Sequence, residues 1–185
     1  MVNEGTYHVT GRGNNGETIF ADDADRRLFL ARFALVARRY AWRCWAYCLM
    51  SNHYHLVIQL SEGRLSEGLQ ELNGSYARGF NRRHHREGHL FRNRFGSAPV
   101  ERDAHLLEAC RYVVLNPVRA GLCSAPSEWE WSSHRACVGM APVPEFLAVG
   151  EVLELFGLAE SRARYQRFVE EASTSPPVSD TVTGV

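Results

Sequence analysis

The alternating run Ser51-Asn52-His53-Tyr54-His55-Leu56-Val57-Ile58-Gln59-Leu60 constrains this chain more than any other stretch. Successive side chains of a strand point to opposite faces, so His53 and His55 share one face with their Cα atoms about 6.6 Å apart. Tyr54, Leu56, Ile58 and Leu60 fall on the other face and form an apolar stripe suited to packing against helices. One face is core, and the other carries two imidazoles able to close on one metal ion. Alone, the pair also fits two ordinary histidines at a sheet surface. A metal reading needs a second group for the ion to serve.

The flanking segments outline a small mixed fold. Thr6 to Thr10 reads as a first strand, ended by Gly11-Arg12-Gly13-Asn14-Asn15-Gly16, whose glycines and asparagines favour turns. Asp22 or Asp23 can cap a helix to about Tyr40, with Phe29, Phe33, Val36 and Tyr40 on one stripe. Trp42 to Met50 is aromatic and apolar, and Ser51-Asn52 separates it from the histidine strand, which predicts a hairpin. Leu65, Leu69, Leu72, Tyr76 and Phe80 keep helical spacing to about Arg83, despite glycines at 68, 74 and 79. A strand is expected within 90–100, then a helix capped by Asp103 through Leu106, Leu107, Cys110 and Val114. Pro117 disfavours a helical Asn116, so that helix is expected to fray or end there. Trp129 and Trp131 are expected to plug a hydrophobic gap.

A length of 185 residues suits one domain with a real core. No apolar run reaches the length of a membrane span and the start lacks a signal-peptide pattern, so a cytoplasmic protein is expected. Five scattered cysteines argue for reduced thiols. Cys44 and Cys48 would share a strand face and could form a zinc site with His53 and His55, although the intervening turn speaks against it.

Zero net charge hides an asymmetry: residues 1–119 hold 17 basic and 12 acidic groups, and residues 120–185 hold 4 and 9. Every fixed positive charge is an arginine, a side chain that grips phosphate bidentately and stacks on bases. Genomic base composition can produce that bias without function, so placement matters more than type. Arg78, Arg82, Arg83, His84, His85, Arg86, His89, Arg92 and Arg94 are interleaved with Phe80, Phe91 and Phe95. Guanidinium groups mixed with rings suit single-stranded or hairpin nucleic acid; the bland alternative is a solvated helix end.

Arg111-Tyr112-Val113-Val114-Leu115-Asn116-Pro117-Val118-Arg119-Ala120-Gly121 supplies the second half of a site. Tyr112 and Asn116 are four apart and occupy one helix face. If that face meets His53 and His55, Asn116 can complete a His-His-amide metal site, with Tyr112 beside it as a nucleophile. Taken singly, Tyr112 also fits a half-buried helix tyrosine and Asn116 a turn residue before proline.

These residues resemble the REP-associated tyrosine transposases, a branch of the single-tyrosine HUH nucleases, over about residues 6–137. The likeness runs from Tyr7-His8-Val9-Thr10-Gly11-Arg12-Gly13-Asn14 through Ala46-Tyr47-Cys48-Leu49-Met50-Ser51-Asn52-His53-Tyr54-His55-Leu56 and Gly88-His89-Leu90-Phe91-Arg92-Asn93-Arg94-Phe95. It ends in the Tyr112 to Leu122 segment and Trp129-Glu130-Trp131-Ser132-Ser133. Ser51 stands where the family often has proline, and His134 lies near a family tyrosine; neither departure touches the chemistry.

The resemblance implies an α/β (α+β) fold of the HUH, ferredoxin-like type, a central antiparallel sheet with helices packed on one face. It implies Tyr112 as nucleophile, His53, His55 and Asn116 as ligands of Mg2+ or Mn2+, and cleavage of single-stranded DNA near REP-type palindromic hairpins through a 5′-phosphotyrosine. Arg12, Asn14, Arg78, Arg82, Arg83, Arg92, Arg94 and Arg119 are the expected DNA contacts. The alternatives are a non-catalytic palindrome-binding regulator that keeps the fold, and a replication-initiator nickase, for which the chain is short. Either a monomer or a homodimer is compatible. The domain is expected to span 1–137, with an acidic helical extension over 138–172, whose acidic segment after residue 150 could cover the basic face, and a disordered tail over 173–185.

Overall fold

The protein, seen in a computed structural model, is described over residues 5–61, 63–92, 94–101 and 103–172. The expected tail over 173–185 lies outside the described residues. Strands β1 (Gly5–Arg12), β2 (Trp42–Leu49), β3 (His53–Leu60) and β4 (Gly96–Val100) form an antiparallel sheet in the order β2-β3-β1-β4. The histidine strand therefore lies inside the sheet, flanked on both sides. Helices α1 (Asp23–Arg39), α2 (Leu65–Arg83) and α3 (Asp103–Arg119) cover it. Three shorter helices follow: α4 (His134–Cys137), α5 (Val149–Glu154) and α6 (Ser161–Glu171).

Local chemistry explains the two long helices before β4. Asp22 caps α1 by accepting from the Asp25 amide, acids fill the first turn and Arg38 and Arg39 the last, each favourable to the helix dipole. Phe29, Phe33 and Val36 bury one side of α1, and Leu65, Leu69, Leu72, Tyr76 and Phe80 bury one side of α2, as their spacing predicts. Gly68 permits the close approach of α2, since a Cβ there would lie 2.3 Å from the Trp42 ring.

The α/β class with an antiparallel sheet holds, but the helices expected on one face occupy both. Tyr54, Leu56, Ile58 and Leu60 join α1 and α2 in the larger core. On the reverse face Ala46, Cys48 and Val57 pack with Leu106, Cys110 and Val113 of α3 in a second, smaller cluster. The two sides of the sheet are thus a thick core and a thin, chemically loaded layer.

Three local expectations are corrected. A bulge at Trp45 shifts the β2–β3 register, pairing Cys44 with Ile58 and Ala46 with Val57, so Cys44 and Cys48 face opposite ways. That removes the four-residue zinc arrangement. The strand expected over 90–100 shrinks to β4, and among the described residues from Leu90 to Phe95 the one extended pairing is a bridge between Gly13 and Phe91. Helix α3 does not stop at Asn116. It continues through Pro117, and the Asn116 amide nitrogen donates to the carbonyls of Tyr112 (2.9 Å) and Val113 (3.4 Å). Pro117 has no N–H to offer Val113, so the side chain replaces the missing donor. Gly121, at φ +68°, then ends the helix in the left-handed conformation that needs no Cβ.

Residues 138–172 carry α5 and α6 and belong to the same core. Leu147, Val149, Val152, Tyr165 and Val169 are buried in the larger cluster. The exposed edge of β2 is closed by backbone hydrogen bonds: Cys44 N–H to Phe146 O (3.1 Å), Ala148 N–H to Cys44 O (2.8 Å) and Leu49 N–H to Trp131 O (2.9 Å). Two acids of residues 138–172, Glu145 and Glu151, pair with Arg38 and Arg43. Among the described residues no helix is long and apolar enough to cross a membrane.

Candidate active site

Antiparallel pairing builds the site. On β3, His53 and His55 point to the α3 side, opposite Arg12 and Thr10 of β1 in register. Their ring centroids are 5.0 Å apart with planes at 82°. Helix α3 crosses this face and brings the Tyr112 ring edge-on to His55, at 5.9 Å between centroids. The tyrosine and the imidazole pair, 57 residues apart in sequence, meet within one chain.

Burial keeps the two imidazoles uncharged. Burial lowers the pKa of His53, with the Arg12 guanidinium adding to it. Burial takes His55 well below the usual histidine range, helped by His8 and His53. Both rings are therefore neutral at pH 7 and hold a lone pair for a cation. Asn52 settles which nitrogen of His53 carries it. The Asn52 amide nitrogen donates to Gly16 O (3.1 Å), so its oxygen accepts from His53 Nδ1–H (2.7 Å) and leaves Nε2 bare. His55 Nε2 is buried with no hydrogen-bond partner. A buried polar atom without a partner marks a place where an ion or water belongs, so these residues fit a bound cation.

Asn116 lies one helical turn beyond Tyr112, with its amide nitrogen held by its own helix as described above. Its oxygen is the atom that could face a cation. Arg119 sits over the Tyr112 ring, its guanidinium carbon 4.9 Å from the centroid. Cys48 lies on the same sheet face opposite His55, but it is buried and burial pushes its thiol pKa far up, which leaves it a protonated core side chain. Among the described residues no three His, Cys, Asp or Glu side chains gather in a metal-holding arrangement.

The arginines divide into groups. Arg12 is exposed beside His53, Asn14 follows in the adjacent turn, and Arg119 is at Tyr112. Arg78, Arg92 and Arg94 line a cavity of about 930 Å³ between α2 and residues 88–95, together with Phe91, Phe95 and Asn73. The backbone ties this loop to the site, since Arg92 N–H donates to Arg12 O (3.0 Å). Arg82 is exposed on α2 outside that lining. Arg83 differs from the expectation: it bridges Asp22 (2.5 Å) and the fully buried Asp25 (2.8 Å), clamping the end of α2 to the start of α1. His84 bonds the same Asp25 at 2.9 Å, so both side chains are structural.

Sequence reasoning missed His8. Its Nε2 lies 3.0 Å from His55 Nδ1, the two rings lie edge to edge with centroids 5.2 Å apart and planes at 20°, and its ring meets Tyr112 at 5.7 Å. The signal was present in the first strand: antiparallel pairing with β3 puts Thr6, His8, Thr10 and Arg12 on the histidine face.

The sequence matches the family described as Transposase IS200 like over residues 1–116. A REP-associated tyrosine transposase of Haemophilus influenzae is 24% identical over 128 residues, covering 63% of this chain and 73% of that protein. The fold is similar to the solved structure of a REP-associated tyrosine transposase bound to a REP hairpin, with a TM-score of 0.67 at 18% identity, covering 80% of this chain and 87% of the other. The family match takes in the sheet, both histidines, Tyr112 and Asn116, and the chain belongs to the IS200-like transposase family.

Proposed function

We propose that this protein is a metal-dependent nuclease and strand transferase acting on single-stranded DNA beside palindromic hairpins of the REP type. The observation that carries the reading is the edge contact of Tyr112 with His55, whose orphaned Nε2 faces away from any protein partner. His53, His55 and the Asn116 oxygen would hold Mg2+ or Mn2+; nitrogen ligands make Mn2+ the better probe. The bound cation would withdraw charge from the scissile phosphate and favour ionisation of a nearby phenol, which otherwise titrates near pH 10. Tyr112 Oη attacks phosphorus, the bond from phosphorus to O3′ breaks, and a 5′-phosphotyrosine and a free 3′-hydroxyl result. Attack by a 3′-hydroxyl on that ester reverses the step, so joining needs no ATP. Arg119, whose guanidinium lies over the Tyr112 ring, would meet the phosphate. Arg12 and the cavity arginines 78, 92 and 94 would hold the DNA backbone, with Phe91 and Phe95 as stacking surfaces. The hairpin carried by a solved protein of the same fold supports this substrate class.

The test is a labelled hairpin oligonucleotide incubated with protein and Mn2+, then resolved on a denaturing gel. A covalent adduct is expected with the natural chain and none with Tyr112→Phe. Tight binding with no adduct from either protein would support instead a palindrome-binding regulator that keeps the fold.

A further inference from the structure

We infer that His8 is a positioning residue of the metal site, fixing His55 in the tautomer that turns an unprotonated Nε2 toward the cation. The inference rests on the metal reading above. His8 Nε2 and His55 Nδ1 are 3.0 Å apart, and each is a ring nitrogen, so one must donate and the other accept. Two arrangements are possible. If His8 donates, His55 carries its own hydrogen on Nε2, where it is buried with no acceptor. Such an N–H is both an orphaned donor and unable to bind a metal. If His55 donates, its Nε2 is a bare lone pair, and a cation satisfies it.

The second histidine of the pair obeys the same rule by different means. Asn52, anchored on Gly16 O, accepts from His53 Nδ1–H and bares His53 Nε2. Each ligand imidazole thus has an acceptor behind it, an amide for His53 and a third imidazole for His55. Such partners orient a ligand ring and raise its basicity, and losing one weakens metal binding about 10- to 100-fold. The two rings lie nearly in one plane, at 20°, edge to edge, so the ring nitrogens point at each other as a hydrogen bond requires.

Titration calorimetry with Mn2+ alone on the full chain tests this. His8→Phe keeps the ring and its packing but cannot accept; it should bind Mn2+ at least about tenfold more weakly. His8→Gln, whose amide oxygen reaches about as far as Nε2, should restore affinity to within about threefold of the natural chain. Melting temperature and metal-free hairpin binding should be unchanged in both. Equal Mn2+ affinity in His8→Phe, or no rescue by His8→Gln, overturns the proposal. Should His8→Phe fail to fold, nitrogen-15 imidazole spectra of the natural chain still decide: His55 must carry its hydrogen on Nδ1, and hydrogen on Nε2 refutes the inference. Mn2+ binding that survives His53→Ala with His55→Ala would refute the metal reading itself, which keeps the two failures apart.

Discussion

Gly11→Ala couples the frame to the site and allows a magnitude to be worked out. Gly11 is buried on β1 opposite Tyr54, and a Cβ added there would lie 2.3 Å from Tyr54 Cε1, 2.5 Å from Cζ and 2.6 Å from the hydroxyl. Tyr54 cannot retreat. It is fully buried, packs on Phe29 at 4.8 Å between ring centroids, and donates to Asn73 Oδ1 at 2.8 Å. Overpacking of this kind costs about 1–3 kcal/mol, and loss of the hydroxyl's hydrogen bond inside the core adds about 1 kcal/mol or more. The sum, about 2–4 kcal/mol, is a large share of the roughly 5–15 kcal/mol that keeps a domain folded. With a urea dependence near 3 kcal/mol per molar for a chain of this size, the unfolding midpoint should fall by about 1 M. Because Tyr54 stands between His53 and His55, the same displacement should weaken Mn2+ binding. Gly150→Ala is the contrast: its Cβ meets nothing within 4 Å in α5, so it should stabilise by about 0.5 kcal/mol. A midpoint for Gly11→Ala within about 0.3 M of the natural chain, with Mn2+ affinity intact, would refute the argument.

Burial holds the pKa of His134 down to about 4, and its Nδ1 has no partner. The unfolded chain binds that proton first as pH falls below about 6.5, so stability drops between there and pH 4 by up to about 3 kcal/mol. His134→Phe, which keeps a ring against Tyr165, should lose that part of the acid sensitivity in urea unfolding at pH 7 and 4.5; identical pH dependence would reject the assignment. Deleting residues 151–185 removes Val152, Tyr165 and Val169 from the core, worth about 1.5–3 kcal/mol each. The shortened chain should show no cooperative thermal transition by circular dichroism, and a melt within a few degrees of the full chain would contradict the packing described here.

Period-two alternation made the central strand legible, because only one phase of Tyr54, Leu56, Ile58 and Leu60 could be core. Helical spacing did the same for α1 and α2, and the placement of Tyr112 against the histidines followed from a four-residue offset on α3. What escaped depends on pairing between distant segments. The bulge at Trp45 reverses the alternation of β2, and nothing local in Trp42 to Leu49 announces it. The helix through Pro117 relies on a side-chain donor, Asn116, whose bond replaces the one that proline removes. His8 belongs to the site only once β1 is registered on β3, and Arg83 leaves the DNA-facing set only once α1 is beside α2. Helices appear on both faces because the histidine face also carries Val57, Ala46 and Cys48, enough apolar surface to recruit α3.

The unequal layers on either side of the sheet separate what keeps the molecule in shape from what lets it react. The aromatic mass around Phe29, Tyr54 and Tyr76 lies behind the strands, whereas His53, His55 and Tyr112 sit in the thinner layer in front. A descendant that lost Tyr112, the nucleophile we propose, would keep its architecture and its arginine-lined cavity. Within such a lineage, inheritance could discard the proposed reaction and retain the proposed grip.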